Sequence, residues 1–308
     1  MRPGFNLQMA YAAVVTLAIS FLGCRLTQVH VKDVGKLALG AMLIAMVALP
    51  IVLYLREKKK RYLQESVLTV LWVIFWAQIL GFPVAIAARL GMARPLQDSV
   101  FIRWDHALGV DLPKLVAWAP NHWLGVASNM SYAWVFPLMQ AAIFLSILAG
   151  KVKYAQRFLA ANLVAFVVGL PLFAMFPAIG PWYGFHLAAQ PYQMACQALI
   201  FLIRQPGPYV YQFPSGAICF PSYHVIWALL AVQALWWMRT VRVLLAALGA
   251  LILFSTMTVG NHYFCDVLAG IPVAAIAMYA ADRMMNWAPI EPALDNVSSA
   301  EKIAGVAR

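Results

Sequence analysis

The chain has 308 residues, 64% of them hydrophobic and only 11% charged, with a mean hydropathy of +0.78. Soluble domains are about 45–50% apolar and about 25% charged, so this composition excludes a soluble globular protein, and a chain this apolar cannot remain solvated as a disordered one. The formal net charge of +11 sits in short basic clusters between apolar runs rather than in one patch, a pattern of membrane topology that argues against nucleic acid as a partner.

A membrane span needs about 20 mostly apolar residues. In chain order such runs fall near 8–29, 35–55, 66–88, 124–148, 158–177, 221–238, 243–261 and 263–281. They predict an all-α, polytopic membrane protein with about eight transmembrane helices. The first run is too long, and too closely followed by a second, for a cleaved signal peptide, and no A-x-A site follows it. Basic clusters lie at Arg56, Lys58, Lys59, Lys60 and Arg61, at Lys151, Lys153 and Arg157, and at Arg239 and Arg242. With the N-terminus inside, these clusters, Arg2 and the tail place 14 Lys and Arg inside against 8 outside, although the outer side holds the two long loops. Both termini are therefore expected inside. The expected location is a bacterial inner membrane, with the long loops facing the periplasm or outer side.

Residues 89–123, broken by Pro95, Pro113 and Pro120, read as an outer loop with interfacial helices. Residues 178–220, with Pro181, Pro191, Pro206, Pro208 and Pro214, read as a second outer loop. Long loops on a compact protein tend to carry function. The tail after Trp287 has no apolar periodicity and is expected to be disordered. Cys196 and Cys219 share the second loop, so an oxidising compartment would allow a disulfide between them; two buried thiols are the alternative. The chain divides into N-terminal spans with the start of the first loop (1–99), a catalytic membrane domain (100–281) and a cytoplasmic tail (282–308).

Ionisable groups near the membrane are costly and tend to be functional. His262 and Asp266 stand four residues apart at the outer start of the last span, on one helix face. The carboxylate can accept from one imidazole nitrogen, fix the tautomer and leave the other nitrogen free as a nucleophile. In Phe220-Pro221-Ser222-Tyr223-His224, Pro221 and Ser222 suit a helix N-terminus, whose amides at Ser222 and Tyr223 would cradle a phosphate. Two histidines and one carboxylate at two helix starts point to a shared site on one side of the membrane. A His-x-x-x-Asp pair can also ligate a cation, but with no second carboxylate or cysteine pair beside it no metal site is expected.

These residues resemble the type 2 phosphatidic acid phosphatase superfamily, which includes lipid phosphate phosphatases and vanadium-dependent haloperoxidases. Its members carry Lys-x6-Arg-Pro, then Pro-Ser-Gly-His, then Ser-Arg-x5-His-x3-Asp. The resemblance implies a haloperoxidase-like helical core and metal-free chemistry without a cofactor. It further implies that His262 is a nucleophile forming a phosphohistidine, Asp266 its orienter, and His224 the acid that protonates the leaving group. The chain departs from the pattern at Ala87, where the lysine would stand, at Tyr223 in place of the glycine, and at Ser255-Thr256 in place of Ser-Arg. These departures, with Trp104-Asp105-His106-Ala107-Leu108-Gly109 and Phe176-Pro177-Ala178-Ile179-Gly180-Pro181-Trp182-Tyr183, resemble the inositol phosphorylceramide synthase branch. The likeness spans roughly residues 100–281.

With those cationic ligands absent, the outer-side candidates to neutralise a phosphate are Arg89, Arg94, Arg103, Lys114 and Arg204. Arg204 and Arg103 are preferred, because a planar guanidinium suits bidentate phosphate binding. Asp105 could orient an arginine or an acceptor hydroxyl, or cap an interfacial helix. The expected function is a membrane lipid phosphatase or phosphotransferase whose partners are a lipid phosphate, membrane lipids and, for transfer, a lipid alcohol. A transporter is the alternative from a different class, disfavoured by the near absence of mid-span charge.

Overall fold

The computed structural model describes residues 4–31, 34–211 and 218–285. The tail after Trp287, expected to be disordered, lies outside them. Helix α1 (Phe5–Thr27) ends where Gln28 turns left-handed (φ 56°) and returns its N–H to Cys24 O. Strand β1 (Val29–Val31) follows, then α2 (Val34–Glu57), which stops in the first basic cluster. Helices α3 (Arg61–Ile79) and α4 (Gly81–Leu90) form one apolar stretch interrupted around Leu80. Pro83, with no N–H to give to Ile79, accounts for the break.

The first long loop holds two short helices, α5 (Asp98–Ala107) and α6 (Leu112–Trp118). Helices α7 (Trp123–Ser131) and α8 (Val135–Leu148) are joined by a tight turn at Tyr132–Trp134 into one span, and α9 (Val152–Met175) returns. The second loop contains α10 (Pro181–Gly184), α11 (Pro191–Ile203) and strand β2 (Tyr209–Tyr211), which pairs parallel with β1 in the register Val29 to Tyr209. Three helices close the chain: α12 (Tyr223–Ala234), α13 (Arg242–Thr258) and α14 (Phe264–Met285).

Among the described residues, seven helical stretches are long and apolar enough to cross a membrane, which makes this an integral multi-pass membrane protein. The sixth expected span is the exception, because α12 has only 12 residues. Such a helix is about 18 Å long against a hydrocarbon core of about 30 Å. The reason is its place: α12 packs against α8, α9, α13 and α14, so protein rather than lipid surrounds it and bilayer thickness does not set its length. The main core lies where these helices meet. It is lined by small residues such as Ala160 and Ala165 on α9, Ala228 and Ala231 on α12, and Ala274 and Ala277 on α14. In lipid, association depends on close backbone approach and dispersion contacts, and small residues permit both.

The two ends of the bundle differ. At one end the basic clusters gather: Lys151 stands 5.6 Å from the Trp237 ring centroid, Trp237 Nε1 donates to Ser146 Oγ at 3.2 Å, and the Tyr62 hydroxyl donates to Ile147 O. There Arg157 on α9 also pairs with Asp282 on α14, its Nη2 lying 2.7 Å from Oδ2. The opposite end carries both long loops and the N-termini of α12 and α14.

Candidate active site

The site is assembled where α13 turns into α14. Gly260 adopts a left-handed conformation (φ 73°), and the amides of Asn261 and His262 both donate to Thr256 O, at 3.2 and 3.0 Å. That turn delivers His262 to the start of α14. The first amides of α14 are already occupied. Asp105 on α5 accepts from Phe264 N at 2.8 Å and Cys265 N at 2.9 Å, while Asp266 Oδ2 accepts from Tyr263 N at 2.9 Å. Asp105 is therefore a helix cap supplied from another element. Burial pushes its carboxyl above the usual carboxylate range, and the two amides pull it back. Two carboxylates thus satisfy the N-terminus of α14, leaving it no free first-turn amides for a phosphate, so the expected cradle at the start of α12 is the one that remains.

His262 is 4% exposed. Its Nδ1 lies 2.9 Å from Cys219 O and 3.5 Å from Asp266 Oδ2. Both neighbours are acceptors, so their arrangement assigns the proton to Nδ1 and leaves the Nε2 lone pair free. The Asp266 contact matches the one-face spacing, but the nearer partner is the carbonyl of Cys219. The Cys219 thiol also donates to Asp266 Oδ2 at 3.1 Å.

His224 faces this imidazole from α12, with ring centroids 5.7 Å apart. It stacks on Tyr132 at 4.2 Å, its Nδ1 lies 3.4 Å from the Tyr132 hydroxyl, and its Nε2 is buried with no hydrogen-bond partner. Ser222 caps α12, its Oγ accepting from Val225 N at 3.4 Å, and its own N–H donates to Asp266 O at 3.2 Å, which ties the two helix starts together. Gly270 on α14 makes this approach possible, since a Cβ there would lie 3.0 Å from Ser222 O. The first-turn amides of Tyr223 and His224 have no acceptor within their own helix by position. The Tyr223 side chain points away, its hydroxyl donating to Ala165 O on α9 at 3.2 Å, so only its backbone is placed for an anion.

The expected cations are not brought to the imidazoles. Arg204 donates to Gly91 O at 3.3 Å and Arg94 O at 2.6 Å, and so braces the two loops. Buried Arg89 donates to the carbonyls of Thr27, Ile203, Gln205 and Gly207, joining α1, α4 and the end of α11. Lys114 pairs with Asp111 at 2.7 Å, and Arg94 is exposed. Arg103 is exposed on α5 two residues from Asp105. Residues two apart on a helix point in different directions, so the turn that aims Asp105 at α14 aims Arg103 elsewhere. No disulfide joins Cys196 and Cys219 either: the Cys219 thiol is buried and turned to Asp266.

Several neighbours lay beyond the reach of sequence spacing. Asp98 accepts from Ile179 N and Gly180 N at 3.1 and 2.8 Å and from the Tyr263 hydroxyl at 3.0 Å, so one carboxylate joins both loops to α14. Gln193 on α11 donates to Asn261 Oδ1 at 2.7 Å and to Val259 O at 3.2 Å, which holds the second loop beside His262. Tyr132 and Cys219 carried no motif, and only the tertiary fold places them.

Fold and site together define a helical membrane protein with two facing imidazoles at the starts of two helices. Residues 99–280, more than half of the chain, match the PAP2 superfamily, and the chain belongs to that family, whose membership suggests a phosphatase or phosphotransferase. No curated protein and no solved structure matches the chain.

Proposed function

We propose that this protein transfers the phosphoryl group of a lipid phosphate through a phosphohistidine on His262. The observation that carries the reading is the facing pair of imidazoles: His262 Nδ1 is turned to acceptors, so Nε2 holds the lone pair, and 5.7 Å away stands His224, with an unpartnered Nε2. His262 Nε2 attacks phosphorus as the ester P–O bond breaks, and the leaving oxygen takes a proton from His224. His224, now neutral, then removes a proton from water or an alcohol, whose oxygen attacks phosphorus as the P–N bond breaks. Asp266 and Cys219 O stabilise the imidazole as charge develops on it. The amides of Tyr223 and His224, with Ser222, supply the anion-binding positions at the positive end of α12.

The basic clusters at the opposite end support an outward-facing site in the inner membrane, where a lipid keeps its tails in the bilayer while its phosphate reaches the imidazoles. Incubation with radiolabelled lipid phosphate followed by rapid quench is expected to trap an acid-labile, base-stable phosphoenzyme that is lost in His262→Ala. Turnover that persists in His262→Ala would overturn the assignment. The same incubation with ceramide or diacylglycerol present separates the acceptors: free phosphate marks hydrolysis, and a new phospholipid marks transfer of the phosphorylceramide-synthase kind.

A further inference from the structure

Three donor atoms converge on the Nδ1 side of His262. Cys219 Sγ, a ring nitrogen of His262 and an Asp266 carboxylate oxygen all lie within 4.8 Å of one another, on residues that are all buried. Sγ is 3.1 Å from Asp266 Oδ2, and Nδ1 is 3.5 Å from the same oxygen. Zinc bound tetrahedrally, about 2.3 Å from sulfur and about 2.0–2.1 Å from nitrogen and oxygen, holds such donors about 3.3–3.5 Å apart. The two separations from Asp266 Oδ2 are therefore within a few tenths of an ångström of those zinc requires. A thiolate and a carboxylate would also cancel the charge of a divalent ion, which a buried site requires. The His-x-x-x-Asp pair lacks a third ligand in the sequence; the loop before α12 supplies it.

We propose that Cys219, His262 and Asp266 bind one thiophilic divalent cation of the zinc and cadmium class, and that the bound ion inactivates the protein. The inactivation rests on His262 being the nucleophile; the binding does not. Metal bonds form to Sγ, Nδ1 and a carboxylate oxygen. The thiol proton passes to solvent, and the ring loses its Nδ1 proton while gaining one at Nε2, so one proton leaves overall. With hydrogen on Nε2, the imidazole has no lone pair to direct at phosphorus. Magnesium and calcium favour all-oxygen ligand sets and are expected to leave turnover unchanged.

The test uses the full-length protein in detergent, stripped with a chelator and titrated with cobalt(II). One equivalent is expected to produce a sulfur-to-cobalt charge-transfer band that zinc abolishes by displacement and that Cys219→Ser lacks. In a lipid phosphate assay, Cys219→Ser should need at least about tenfold more zinc than the native chain for half inhibition, each measured against its own metal-free rate. His262→Gln keeps the thiol and should weaken cobalt binding by at least about tenfold, a second measurement should Cys219→Ser not fold. No thiolate band in the native protein, or a band that survives in Cys219→Ser, would overturn the site. A band with turnover unaffected by zinc would overturn the inactivation. A band in a protein that releases no phosphate from any lipid would leave the metal site standing and remove the lipid phosphatase reading instead.

Discussion

Asp266 serves three donors through one oxygen: the Tyr263 amide, the Cys219 thiol and, at longer range, the His262 ring. In Asp266→Asn the amide oxygen can still accept from Tyr263 N, but the charge that stabilises an imidazolium is gone. Turnover is expected to fall by about a hundredfold or more with KM nearly unchanged, as measured by steady-state kinetics on a lipid phosphate. Asp105 has a different task, holding two amides without touching either histidine. Asp105→Ala leaves both amides short of an acceptor, at a cost of about 1–3 kcal/mol each when buried. Thermal unfolding in detergent should show a clear loss of stability, and Asp105→Asn, which keeps one acceptor, should fall between. An Asp105→Ala chain as stable as the native one would mean that water replaces the cap.

Helix α12 owes its position to small residues on its neighbours. The Tyr223 side chain, standing where related proteins are expected to carry glycine, fits because Gly169 on α9 faces it: a Cβ at Gly169 would lie 2.5 Å from the Tyr223 hydroxyl. Gly169→Ala should destabilise the bundle by about 1–3 kcal/mol through overpacking. Adding Tyr223→Phe removes the closest atom and should recover part of that loss, although Tyr223→Phe alone gives up the bond to Ala165 O. Strict additivity in this double-mutant cycle would show that the two residues do not press on each other. α14 is tied from both ends, by Asp105 at its start and by Arg157 at its finish. Those two ties would hold the proposed nucleophile, His262, in place.

Across the whole molecule, the basic clusters collect at one end and the paired imidazoles at the other, and under the positive-inside rule that polarity supports the proposed outward-facing site. Single cysteines at Gln190 and at Lys59, both exposed, on a background without native thiols, test it with a membrane-impermeant maleimide on intact cells. Labelling at Gln190 alone is expected; labelling at Lys59 alone would invert the protein. The sequence by itself determined the helical membrane class, seven of the eight expected spans, the family resemblance and the pairing of His262 with Asp266, because each of these depends on composition or on contacts within one helix turn. Only the tertiary structure decided that α12 is short, since enclosure by four helices replaces the bilayer as its surroundings. It likewise decided that Arg89 and Arg204 spend their donors on loop carbonyls, and that Asp105, 159 residues from Phe264, caps the start of α14. Cys219 beside Asp266, 47 residues apart, shows the same limit: long-range juxtaposition follows from how the helices pack, and no local spacing encodes it.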